Sequence, residues 1–269
     1  MEKKQKLWTI SQIDATGVRG PHEKELKDIS ISKYPIFMNL EINKLKKIVN
    51  DDIGGKIENI GLDEDWTITI EFFPEVNIHI SYFYYGNEFG DDFEADFKFF
   101  FSGKRAFWIP GEDCATFIDI IMDFLERRIR GKEPFEKSYD TKTDLMQKVL
   151  IQRGKPFELL KEKDRDSLVN FLGALVWKTT NGWRIKREVF PKIFIEITWD
   201  KQKHLNISYL GENIEKISSY HLELVGIFLI NHILRFITTK NEDKNMPDIC
   251  FMMFSRYYTK LKNWEYRRT

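Results

Sequence analysis

The residues able to do chemistry lie scattered along this sequence. A nucleophile elbow needs G-x-S-x-G, and none occurs. A phosphate loop needs glycines followed by lysine and a hydroxyl residue, and Gly54 and Gly55 lack that frame. The histidines are His22, His79, His204, His221 and His232, with no H-x-x-x-H among them and no C-x-x-C elsewhere. His221 and His232 share a helix face but stand about 16 Å apart by helical rise. One metal ion cannot take both. His232 sits among apolar residues and reads as a core histidine. Cys114 falls near a helix start, where a thiol pKa can drop. Its place on the apolar face makes it a core cysteine. No catalytic set, metal or cofactor is expected.

Two charged clusters remain. Glu88, Asp91, Asp92, Glu94 and Asp96 follow one another along a predicted hairpin. They lack the D-x-D-x-D-G spacing of a calcium loop. A solvated hairpin, a cation site and an acidic docking patch are the three readings. Near the end, Arg256, Tyr257, Lys260 and Trp264 interleave cations with aromatics, as do Phe254, Tyr258, Lys262 and Tyr266. Such a segment packs its rings on the body and leaves its charges in water, docks a protein, or stacks on single-stranded nucleic acid.

The elements that must position these residues can be read from composition and period. The chain has 269 residues, 42% of them hydrophobic and 14% aromatic, enough to build a sizeable core. Lysine plus arginine and aspartate plus glutamate both number 42, so the net charge is zero. The distribution is uneven: residues 51–100 hold 13 acids and 2 bases. Two distant cysteines make no disulfide framework. No apolar leader follows the basic start, and the apolar run over 222–237 is short for a bilayer. A cytoplasmic chain without membrane insertion is expected.

The strongest pattern is internal. Trp66, Ile68, Glu71, Phe73, Pro74, Ile78 and Ile80 recur 117 residues later as Trp183, Ile185, Glu188, Phe190, Pro191, Ile195 and Ile197. Period two with β-branched residues means strands with one buried face. The proline removes a ladder donor and marks a strand start or bend. A further strand is predicted at 93–101 and at 204–210. A long helix then follows, near 112–130 and 219–237, and a helix precedes each unit, at 40–50 and 166–176. The predicted fold is α+β, a tandem pseudo-repeat of helix, antiparallel strands and long helix. The boundaries are an irregular arm at 1–39, a first repeat at 40–132, a linker with a short helix at 133–162, a second repeat at 163–246, and a C-terminal helix and basic tail at 247–269.

Tyr85-Gly86-Asn87-Glu88-Phe89, Phe93-Glu94-Ala95, Ile109-Pro110-Gly111-Glu112-Asp113 and Leu125-Glu126-Arg127-Arg128 carry a resemblance. Over residues 71–130 the chain resembles the C-terminal part of an uncharacterised prokaryotic family of small α+β domains. Some members are associated with iron–sulfur or corrinoid proteins. Gly90-Asp91-Asp92 is an insertion, and Ser102 stands where that family has aspartate. The resemblance implies a fold and a metabolic context, and no catalytic residue.

The expected function is non-enzymatic. The chain reads as an interaction or accessory protein, a subunit of a larger assembly that docks another protein through its acidic hairpin. The alternative is a small-molecule or cofactor-binding protein with a pocket between a sheet and its long helix. Nucleic acid is disfavoured as a partner of the acidic hairpin, because phosphate is repelled there.

Overall fold

The computed structural model describes residues 6–14, 20–86, 94–135, 142–202, 204–242 and 246–264. The chain is α+β, with two four-stranded antiparallel sheets. It divides into two compact units. The first holds residues 1–132 and Ser255–Tyr258, and the second holds the rest.

The first unit opens with α1 (Ile10–Asp14), α2 (Pro21–Lys33) and α3 (Ile42–Ile48). Four strands follow: β1 (Lys56–Glu58), β2 (Trp66–Phe73), β3 (Val76–Tyr84) and β4 (Ala95–Ser102). They pair in sequence order. Ile68 faces Ile80 and Ile70 faces Ile78 across β2 and β3. Phe97, Phe99 and Phe101 of β4 pair with Tyr82, Ile80 and Ile78, and so extend the same face. All these side chains are buried, and each is worth roughly 1.5–3 kcal/mol of transfer free energy. Helix α4 (Gly111–Ile129) covers the face, with the Phe117 ring stacked 4.1 Å from Phe72. Helix α2 is fastened to α4 by Lys33, whose ammonium lies 2.7 Å from Glu126 and also meets Asp123. Burial works to lower the Lys33 pKa, but these two acids raise it overall.

The second unit contains α5 (Asp144–Arg153), α6 (Arg165–Leu172) and β5 (Leu175–Lys178). Then come β6 (Gly182–Phe190), β7 (Ile193–Asp200), β8 (His204–Leu210) and α7 (Ser219–Lys240). Its sheet also pairs in sequence order. Ile185 faces Ile197, which in turn faces Ile207. Helix α7 lies close on this face at Gly226, where a Cβ would stand 2.5 Å from the Ile207 methyl. At 22 residues, α7 is long and apolar enough to cross a membrane by length and composition, and most of it is buried. The helix was expected over 219–237, and it runs on to Lys240. Two short helices close the chain, α8 (Asp248–Met252) and α9 (Arg256–Leu261).

The two sheets share details. Each has a register shift before its Phe-Pro, between Glu71 and Phe73 and between Glu188 and Phe190. Each hairpin turns on a proline followed by a left-handed residue, Glu75 at φ 63° and Lys192 at φ 62°. Each last strand is followed by a glycine of positive φ, Gly103 or Gly211. A Cβ there would fall 2.1 Å or 2.0 Å from the turn carbonyl of Glu75 or Lys192.

Several sequence expectations are corrected. The stretch 1–39 was expected to be an irregular arm, and among its described residues lie α1 and α2, both within the first unit. The helix expected over 166–176 ends at Leu172, and Gly173 in a left-handed conformation terminates it. Leu175 then begins β5. The single helix expected over 247–260 is broken at 253–255, where Ser255 bonds backbone groups of Phe107 and Trp108 instead of continuing a helix. The segment 133–162 belongs to the second unit and carries α5.

Candidate functional site

Of the acidic cluster, Glu88, Asp91 and Asp92 lie outside the described residues. The Glu94 carbonyl accepts from the Tyr85 N–H at 2.8 Å. The Asp96 carboxylate accepts from the Ser30 hydroxyl at 2.6 Å. The terminal candidates do not converge. Tyr257 packs on Trp8 and Phe107 in the first unit. Trp264 is buried between Phe251 and Phe254 in the second. Arg256 and Lys260 are exposed. Stacking on Tyr257 or Trp264 would compete with ring contacts already made.

The edge of β4 carries a larger feature. A groove of about 750 Å³ runs along it, with residues 95–100 as floor. Helix α2 forms one wall with Leu26, Lys27, Ser30 and Ile31, and Tyr34 just past its end adds to it. Ile31 is 53% exposed there, a large apolar side chain facing open space. Tyr85 contributes opposite, and Lys98 holds its ammonium 4.3 Å over the Phe83 ring. The groove lies between α2 and the sheet edge. The space between sheet and long helix, where a ligand pocket was expected, is packed at Phe72 and Phe117.

The backbone of β4 shows what the groove presents. Trp8 donates to the Phe101 carbonyl at 2.8 Å, and Phe101 donates to the Trp8 carbonyl at 2.9 Å. Phe101 therefore turns its polar groups away from β3. In an antiparallel strand the direction alternates residue by residue, so Phe99 and Phe97 turn theirs the same way. The Phe97 N–H is taken by the Ser30 hydroxyl at 2.8 Å. No described residue takes the N–H or the carbonyl of Phe99.

The opposite face of this sheet carries a polar chain that sequence reading missed. His79 Nε2 lies 2.7 Å from Ser102 Oγ, and its Nδ1 lies 2.8 Å from Thr69 Oγ1. Thr69 in turn hydrogen-bonds Glu58. Glu58 lies 2.7 Å from Lys56, and against the cost of burial these two bonds hold its carboxyl below the usual range. A carboxylate only accepts, so Thr69 donates to Glu58 and accepts from Nδ1–H. Nε2 is then the acceptor for the Ser102 hydroxyl. Burial pushes the His79 pKa down to about 4, which leaves the ring neutral near pH 7. Serine bonded to an oriented histidine is the opening arrangement of nucleophilic catalysis. Ser102 is fully buried, however, and no substrate carbonyl reaches it in this arrangement. A small cavity of about 300 Å³ touches His79, Lys56 and Glu58 but not Ser102. The chain acts here as a satisfied polar layer beneath the loop at 59–65. The signal for it was strand parity: Thr69, His79 and Ser102 all fall on the face opposite the isoleucines.

His232 is fully buried and stacks on Phe171 at 4.4 Å, while His221 sits in the first turn of α7, its N–H bonded to Ser218. Both cysteines are buried free thiols, and burial raises Cys250 to about 11. Among the described residues no three of His, Cys, Asp and Glu form a metal-binding group.

No protein-family model matches this chain, and no curated protein or solved structure shows significant similarity to it.

Proposed function

We propose that this chain is a non-enzymatic interaction protein, an accessory subunit of a larger assembly, whose first unit receives a segment of a partner protein in the groove beside β4. The observation that carries this reading is the exposed apolar wall of α2 at Ile31, facing an open sheet edge across the groove. Exposed apolar surface next to unpaired strand backbone is costly to leave bare and is where partners dock. Of the acidic docking candidates, Asp96 lines this groove, which supports reading the acidic hairpin and the groove as neighbouring parts of one docking region. Two buried free thiols agree with a reducing, cytoplasmic setting. The two sheets are read as diverged copies of one unit, supported by their shared turn, register shift and glycine.

The test is selection of displayed random peptides against the whole chain. Enriched peptides are expected to lose at least about tenfold in affinity, roughly 1.4 kcal/mol, on Ile31→Glu, while the thermal midpoint stays unchanged. The reading fails if no peptide enriches, or if binders ignore the substitution. A tightly bound apolar small molecule, released on denaturation and absent from Ile31→Glu, would favour the small-molecule alternative.

A further inference from the structure

We infer that the partner segment in the β4 groove binds as an added β-strand, hydrogen-bonded to the backbone of Phe99, and that it is extended, apolar at alternate positions and flanked by basic residues. This inference rests on the docking reading above and specifies its chemistry.

The edge of β4 is blocked at two points and open between them. At one end Phe101 exchanges both its backbone bonds with Trp8. The chain then leaves the edge, because Ile10 begins α1. At the other end the Ser30 hydroxyl takes the Phe97 N–H. Phe99 lies midway, with an outward N–H and carbonyl that no described residue accepts or donates to. One residue of an incoming antiparallel strand satisfies both groups at once. Backbone bonding of this kind supplies affinity without reading sequence, and alternate side-chain pockets supply the preference.

The walls set that preference. Side chains of the added strand point alternately to the two faces of the sheet. On the helix side they meet Leu26, Ile31 and Tyr34, which are apolar or aromatic. On the other side they meet Tyr85 and Lys98. An apolar residue at every second position therefore fits. Charge decides the flanks. The first unit holds 24 acidic and 19 basic residues, a net charge of −5. A segment with basic ends is drawn to it, and its association slows as salt rises.

The experiment uses a peptide selected on the whole chain and methylates its backbone nitrogens one at a time. Methylation removes a donor without changing the side chain. Binding is expected to fall by tenfold or more at the one position whose N–H meets the Phe99 carbonyl and to survive at the others. Amide exchange at Phe99 is expected to slow on binding, and affinity to drop as salt is raised. Uniform tolerance to methylation, with unchanged exchange at Phe99, overturns the added strand. If Ile31→Glu still abolishes binding in that case, the groove reading survives and only the strand falls. A concentration-dependent dimer that Ile31→Glu dissolves would make a second copy the occupant and would also overturn the inference.

Discussion

His79 shows how much one side chain can hold in place. It is neutral because burial makes its charged form costly, and both ring nitrogens are spent on hydroxyls. Its folded pKa of about 4 lies below the ordinary histidine value near 6.5. The unfolded chain thus binds a proton that the folded chain refuses. Stability is full above about pH 6.5 and falls as pH drops toward 4, by about 2–3 kcal/mol. Chemical denaturation between pH 4 and 7 is expected to show this slope, and His79→Gln should flatten it. An unchanged slope in the variant would assign the proton to another group. Glu58 and Glu126, both held below the usual carboxyl range, add their losses at lower pH, below about 4.3. Ser102 sits against His79 as a nucleophile sits against its base, and full burial keeps its hydroxyl away from solvent.

Elements decided what could be read in advance. The strands were legible because Ile68, Ile70, Ile78 and Ile80 alternate, and a buried face admits only that register. The helices α4 and α7 were legible from apolar spacing and length. Helix α2 was missed because only Leu26 and Ile29 among its apolar residues are buried, while Ile31 points outward. Strands β1 and β5 were missed because three or four residues give no period. The groove left no motif at all, since its defining groups are backbone atoms of Phe99. The glycines after β4 and β8 were equally silent. Gly103→Ala and Gly211→Ala are each expected to cost about 2–4 kcal/mol, because a methyl would strike a turn carbonyl and the positive φ strains any side chain. Matching losses in urea melts would fit two copies of one hairpin design. A cost at only one site would show that the turns have different needs.

At the scale of the whole molecule the two units carry opposite charge, −5 against +5, and cancel to zero. Neutrality of the sequence therefore hides a polar molecule. The first unit is also discontinuous in the chain. Its own residues Trp8, Phe107 and Trp108 are covered by Tyr257 and Tyr258, with ring centroids 4.9–6.0 Å apart. Ser255 donates its N–H to the Trp108 carbonyl at 2.8 Å. A chain ending at Phe254 should lose about 2–4 kcal/mol from the first unit, as expected for removing buried aromatics. Limited proteolysis should then cut near Phe107 first. Equal resistance of the shortened chain would mean that the tyrosines are dispensable. During synthesis the consequence is one of timing. The ribosome must add the 122 residues from 133 to 254 before those tyrosines exist. At about 5–20 residues per second this takes roughly 6–25 s. The sheet of the first unit emerges early, yet Tyr257 and Tyr258 follow only after residues 133–254, so a nascent chain carries Trp8 and Phe107 without those ring contacts for that interval and offers chaperones a place to hold.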